Sequence, residues 1–419
     1  MSGLARISGA LALDGVPLAS IAARFGTPCY VYSRALIEEA FRAFDEGLEG
    51  VAHTVCYAVK ANSNLAVLDV LARLGAGFDI VSGGELARVL AAGGKAERVI
   101  FSGVGKSEAE MRAALAAGIR CFNVESDPEI ERLAAVARSV GKVAPVSLRI
   151  NPDVDARTHP YISTGLAANK FGIAHAHALD AARKVAASAG LRLAGIGCHI
   201  GSQILESPPL DEALDRVLEL ASRLASEGMA LEHLDLGGGF GIRYRDEKPM
   251  DARAYCERLA RRLGSSGFTV ILEPGRAIAG PAGVLVTRVE YLKGDKARRF
   301  AVVDASMSEL VRPALYHAWH DIVEVAPRGE AQATYDVVGP VCESADVLGT
   351  DRALAIRAGD LLAILGAGAY GMAMASNYNS RPRPAEVLVD AGGAREVRAR
   401  ESVESLFALE KRADPPPPR

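Results

Sequence analysis

Between residues 53 and 276 the chain switches eight times between a short run rich in Val, Ile and aromatics and a longer stretch rich in Ala, Leu, Glu and Arg. The strand candidates are residues 53–60, 78–82, 98–103, 119–124, 144–151, 193–200, 231–238 and 267–274. Several are apolar on both faces, as strands are in a parallel sheet that helices cover on both sides. The intervening stretches, for example 107–118 and 127–141, place apolar residues at helical spacing and close on glycine. Eight such units predict an α/β fold, a (β/α)8 TIM barrel over residues 34–280, whose chemistry gathers at the C-terminal ends of the strands. A doubly wound sheet is the rival, but no GxGxxG follows the first strand.

Beyond about residue 280 the texture changes. Strand-like runs at 283–293, 298–304, 333–340 and 360–366 are separated by turn-forming segments, which predicts a second, mostly β domain over 281–412. The strand-like segment 26–33 is expected to join that sheet, and the proline-rich tail 413–419 to be disordered. A length of 419 residues accommodates two such domains. With 24% charged residues and a net charge of −3, a nucleic acid or an anionic membrane is not an expected partner. No apolar run reaches membrane-spanning length. The opening 15 residues lack the apolar core and cleavage site of a leader, so a cytoplasmic protein is expected. The six cysteines at 29, 56, 121, 198, 256 and 342 form no CxxC pair, which predicts neither a zinc ribbon nor a disulfide framework.

The residues at the strand ends are an unusual set. Lys60 follows the first strand in YAVKAN, and His199 follows the sixth in CHIGSQ. Gly237, Gly238 and Gly239 follow the seventh, and Glu273 ends the eighth in EPGR, with Gly275 and Arg276. A barrel brings all of them to one mouth. A partly desolvated Lys there is a candidate Schiff-base amine, although a lone Lys is also a surface or ion-pair residue. Successive glycines expose N–H groups to which a phosphate has close access, although tight turns need glycine as well. Arg276 is a donor for a phosphate or carboxylate, or else an ion-pair partner of Glu273. Glu273 is suited to keep a pyridine nitrogen protonated, and equally to be a metal ligand or a general base. No His/Asp cluster of ligand spacing accompanies it, so no metal is expected. The pairs His175/His177 and His317/His320 are expected on solvated faces.

Taken together, YAVKAN, FDIVSGGEL, CHIGSQI, DLGGGFG and EPGR resemble the fold-III pyridoxal-phosphate-dependent decarboxylases, built on an alanine-racemase-type barrel. RPALY (312–316), CESAD (342–346) and GAGAYG (366–371) extend the resemblance through the second domain. The CES and RPALY segments resemble the branch that acts on a diamino dicarboxylic acid, whereas the ornithine and arginine branches usually carry Cys-Asp. The resemblance implies pyridoxal 5'-phosphate as cofactor, with Lys60 as the Schiff-base residue, His199 stacked on the ring and Glu273 at the pyridine nitrogen. It also implies that Ser202, the glycines at 237–239, Gly275, Arg276 and Tyr370 hold or border the phosphate. Arg276, Arg312, Tyr316 and Tyr370 are implied for the substrate, with Cys342 as proton donor and Glu343 as reader of a distal amine. The last two are expected to reach the site from the partner in a head-to-tail homodimer. The family commonly has Gly and Asn where Ser306 and Ser308 stand, which puts the local loop geometry in question. An amino-acid racemase, a decarboxylase of another basic amino acid and a non-catalytic cofactor-binding homologue are the alternatives.

Overall fold

The computed structural model describes residues 3–155, 170–295, 297–391 and 393–413. Most of the tail expected to be disordered, residues 414–419, therefore lies outside the described residues. The chain divides into two compact units, one of residues 34–282 and one of residues 1–33 with 283–419.

The first unit is a closed barrel of eight parallel strands. They are β1 (His53–Ala58), β2 (Gly77–Ile80), β3 (Val99–Phe101), β4 (Cys121–Val124), β5 (Ala144–Asn151), β6 (Leu191–Gly197), β7 (His233–Asp235) and β8 (Thr269–Leu272). Each pairs with the next, and β8 closes on β1 through Val270 opposite His53. Small, branched and thiol side chains fill the interior, where Cys56, Ile100, Cys121 and Ile271 form one fully buried cluster. Gly77 allows close packing there, since a Cβ at that position would sit 2.6 Å from Cys56 Sγ and 2.7 Å from the Arg98 carbonyl. The helices carry their own start signals. Ser107 and Glu110 form a reciprocal capping box at the head of Glu108–Ala117, and Gly118 leaves that helix with φ +74°. Among the described residues no helix is long and apolar enough to cross a membrane.

The second unit is mostly β. Its longest strand, β9 (Gly283–Gly294), pairs antiparallel with the N-terminal strand Cys29–Ser33. That strand pairs in parallel with β10 (Ala385–Asp390) on its other side. The strands Leu4–Ile7, Ala10–Leu13 and Val16–Pro17 form a small separate sheet, anchored by the Leu11 N–H to the Val325 carbonyl at 2.7 Å. The loop in question at Ser306 and Ser308 is tightly held. The N–H and hydroxyl of Ser306 both donate to Glu309 Oε2, at 2.7 and 2.6 Å, and Ser308 donates its N–H to Ser306 Oγ.

One expectation about the histidines fails. His320 is fully buried, its Nε2 accepting from the Arg312 guanidinium at 2.7 Å and its Nδ1 lying 2.8 Å from the Leu365 carbonyl. A neutral ring protonated at Nδ1 satisfies both contacts, and that is why a histidine tolerates the interior there. The sequence offered only the spacing of two histidines, which does not distinguish a wet face from a packed one.

Candidate active site

The barrel mouth holds a cavity of about 180 Å³ lined by Lys60, Asn123, Ser147, Arg149, His199, Asp235 and Glu273 among others. Lys60 sits two residues past β1, in the short 3-10 turn Val59–Ala61. Its Nζ donates to Asp79 Oδ2 at 2.6 Å, and Asp79, in β2, is fully buried. Burial of a carboxylate is tolerable only when it is paired, and Lys60 is the partner. The amine is thus held as an ion pair rather than merely desolvated. Gly275 backs this turn, for a Cβ there would lie 3.0 Å from the Cβ atoms of both Ala58 and Ala61.

His199 follows β6, and its Nδ1 accepts the Gly238 N–H at 3.1 Å. Burial, then the positive charges of Arg149 and Lys60, hold this histidine well below the ordinary range. The ring is therefore neutral at physiological pH, with its orientation fixed by a backbone donor. Arg149, at 2.9 Å from Glu125 Oε1, is itself anchored.

The triple glycine does not offer three open donors. The Gly237 N–H is taken by Asp235 Oδ1 at 3.0 Å and the Gly238 N–H by His199. These glycines are required for backbone reasons: Gly237 and Gly239 have φ +66° and +93°, and a Cβ on Gly238 would collide with the Glu273 carbonyl. Beside this loop Arg276, in the short helix Arg276–Ala279, donates from Nη2 to Ser202 Oγ at 2.9 Å and from Nη1 to the Tyr244 hydroxyl at 2.7 Å.

Glu273 is buried just past β8. Burial, then the neighbouring charges of Asp235 and Asp79, push its carboxyl well above the usual range, and it lies side by side with the Asp235 carboxyl. The structure thus gathers Lys60, His199, Ser202, Gly237–Gly239, Glu273, Gly275 and Arg276 on one barrel end. Asp79, Asn123, Arg149, Asp235 and Tyr244 escaped the sequence reading. For all but Tyr244, which lies in the loop after β7, the signal was a polar residue near the end of an otherwise apolar strand, as in FDIVS and LDLGG.

The remaining candidates belong to the β unit. Arg312 and Tyr316 open and close the helix Arg312–Tyr316. Cys342 is an exposed free thiol whose N–H donates to Asn379 Oδ1 at 2.8 Å, and Glu343 beside it is also exposed. Asp346 braces this loop by accepting the N–H groups of Val341 and Met307, at 2.7 and 2.6 Å. Tyr370 adopts φ +55°.

Residues 34–280 match the family model of the pyridoxal binding domain of pyridoxal-dependent decarboxylases. The chain belongs to that family. A diaminopimelate decarboxylase of Pseudomonas aeruginosa is 58% identical over 401 residues, 95% of this chain and 96% of the relative. The crystal structure of diaminopimelate decarboxylase from Helicobacter pylori complexed with L-lysine superposes with a TM-score of 0.91 at 42% identity, covering 94% of this chain and 99% of the other. The enzyme from M. jannaschii in co-complex with L-lysine reaches 0.93 at 35% identity, covering 99% and 98%. The mouth fits the pyridoxal cofactor of this family. Asp79 Oδ1 and Ser147 Oγ are buried there with no hydrogen-bond partner among the described residues. A primary amine suits an aldehyde, and a proton-holding carboxyl suits a basic ring nitrogen. A hydroxyl beside a guanidinium suits a phosphate.

Proposed function

We propose that this protein decarboxylates meso-2,6-diaminopimelate to L-lysine and CO2, the last step of lysine biosynthesis, with pyridoxal phosphate as cofactor. The observation that carries this reading is the convergence of Lys60, His199, Glu273 and Arg276 on one mouth, in a chain matched over 95% of its length by a diaminopimelate decarboxylase. When bound, the cofactor supplies the electron sink that accepts the pair left by departing CO2.

Lys60 would provide the amine that holds the cofactor aldehyde, and Asp79 positions that amine at 2.6 Å. Glu273 would keep a ring nitrogen bound beside it protonated. His199, being neutral, offers a flat face that adds no charge to the ring, and its Nδ1 is locked by Gly238. Ser202 and Arg276 hold the phosphate, with Gly237–Gly239 and Tyr370 bordering it. Cys342, an exposed thiol, delivers the proton to the substrate α carbon. Glu343 reads the distal ammonium, and Arg276, Arg312 and Tyr316 read the distal carboxylate. Cys342 and Glu343 serve the barrel of a second copy, which makes the working unit a head-to-tail homodimer. Six free cysteines suit a reducing compartment, and the cytoplasm is the proposed location.

The test is incubation with pyridoxal phosphate and meso-diaminopimelate, following CO2 and lysine, with ornithine, arginine and lysine as rival substrates. A site built for a distal ammonium and carboxylate rejects a substrate lacking one of them by roughly 10⁴-fold in kcat/KM. Preferred turnover of ornithine or arginine would move the substrate assignment while leaving the cofactor in place.

A further inference from the structure

The barrel mouth holds more acid than the reaction uses. Asp79, Asp235 and Glu273 lie at or just past the ends of β2, β7 and β8, and one amide nitrogen, Asn123 Nδ2, reaches both Asp235 Oδ2 at 2.9 Å and Glu273 Oε1 at 3.4 Å, with the two carboxyls side by side. Two carboxyl groups in such contact need a proton between them. The other partners decide which of the two carries it. Asp235 Oδ1 accepts the Gly237 N–H at 3.0 Å, and Oδ2 accepts Asn123 Nδ2 at 2.9 Å. That same Nδ2 lies 3.1 Å from Ser102 Oγ and 3.4 Å from Glu273 Oε1. Asn123 Oδ1 faces the Cys121 thiol at 3.7 Å, so the amide nitrogen is the end turned to the acids. Asp235 thus has a donor on each oxygen and is the anion of the pair, and Glu273 is the acid.

We propose that Asp235, clamped by Asn123, is a positioning residue that stores a proton on Glu273, so that a pyridine nitrogen bound there is protonated by the protein and not by solvent. The proposal rests on the reading that the ring nitrogen lies against Glu273. In the step, an O–H bond of Glu273 breaks and an N–H bond forms, leaving two carboxylates beside one pyridinium. No other reactant is needed. The charged groups facing Glu273 are Asp235, Asp79 and Lys60, and the buried thiols of Cys56, Cys121 and Cys198 also feel it. Burial and the two aspartates favour the acid form of Glu273, and Lys60 opposes them.

The test loads the full-length holoenzyme with pyridoxal phosphate labelled with ¹⁵N in the ring, and follows the nitrogen chemical shift against pH. The unmutated protein keeps the nitrogen protonated to the alkaline limit of folding. Asp235→Asn loses that proton about one pH unit earlier or more, with kcat down about tenfold and KM little changed. If Asp235→Asn keeps the unmutated titration, the role of Asp235 is overturned whatever its kcat. If Glu273→Gln keeps it, the placement of the ring nitrogen fails instead. Should Asp235→Asn not retain cofactor, calorimetry on the unmutated chain decides. Proton uptake is compared for pyridoxal phosphate and its analogue with CH in place of the ring nitrogen, at a pH where the free ring nitrogen is bare. Equal uptake supports the stored proton, and one extra proton for pyridoxal phosphate overturns it.

Discussion

At the residue scale, the site divides between groups that touch the reacting atoms and groups that keep those atoms charged or neutral. In the proposed function Cys342 belongs to the first kind; it is exposed, and its N–H donates to Asn379 Oδ1. Cys342→Ala is therefore expected to leave folding and cofactor absorbance intact while lowering kcat by about 10²–10⁴-fold, the usual worth of one placed proton donor. Steady-state assays with the cofactor spectrum as control measure this, and a loss of cofactor with the activity would contradict it. A lone cysteine in a sequence says nothing of this role, which is proposed from its Cys-Glu-Ser setting. The place of Lys60, His199, Glu273 and Arg276 was legible for a different reason, because polar residues at strand ends of a barrel have one place to go. Asp235 and Asn123 were not, since a polar residue inside a short apolar strand gains meaning only when closure brings it to an acid from another strand.

At the element scale, strand existence was written in β-branched runs, and all eight barrel strands fall within or beside the segments read from them. Their ends were overrun by one to three residues in most cases, because the apolar pattern continues into the turns that carry the chemistry. Invisible in any pattern was the polar seam behind β3 and β4. Lys106 Nζ, almost fully buried, donates to Glu129 at 2.6 Å and to the carbonyls of Gly103 and Asn123, both at 2.7 Å. Glu129 Oε2 in turn accepts the Glu125 N–H, and Glu125 Oε1 accepts from Gly103 N–H and Arg149. This seam sets the backbone under Asn123 and anchors the guanidinium that helps keep His199 neutral. Lys106→Met leaves an uncompensated buried carboxylate and is expected to cost about 3–5 kcal/mol, measured by urea unfolding. Adding Glu129→Leu to it is expected to recover much of that loss. An equally unstable double variant would show that the packing, not the charge, matters.

At the scale of the whole molecule, a histidine that the fold keeps neutral lowers stability in acid. Burial, then Arg120 and Arg192, hold His233 down at about 3, against an ordinary 6.5. Above 6.5 the native and unfolded chains hold this ring alike; below it only the unfolded chain takes up the proton, so stability falls as pH drops toward 3. His233→Gln is expected to make the fall shallower by about 1.4 kcal/mol per pH unit below pH 6, measured by urea midpoints from pH 6.5 to 4.5. An unchanged slope would mean that the ring is protonated in the native barrel. The proposed assembly has a larger consequence. Lys60 belongs to one unit and Cys342 to the other, and the proposed head-to-tail dimer would make each site from Lys60 of one copy and Cys342 of its mate. Lys60→Ala and Cys342→Ala homodimers are then both inactive, yet a mixed dimer puts both lesions in one site and leaves the other whole. Dissociating and remixing equal amounts is expected to restore about a quarter of the unmutated activity, since half of the dimers are mixed and each has one intact site. Sites built within a single copy would restore none, because every site would then contain one lesion or the other. Titrating the ratio of the two variants checks the statistics directly: the recovered activity follows the product of their fractions and peaks at equal mixing.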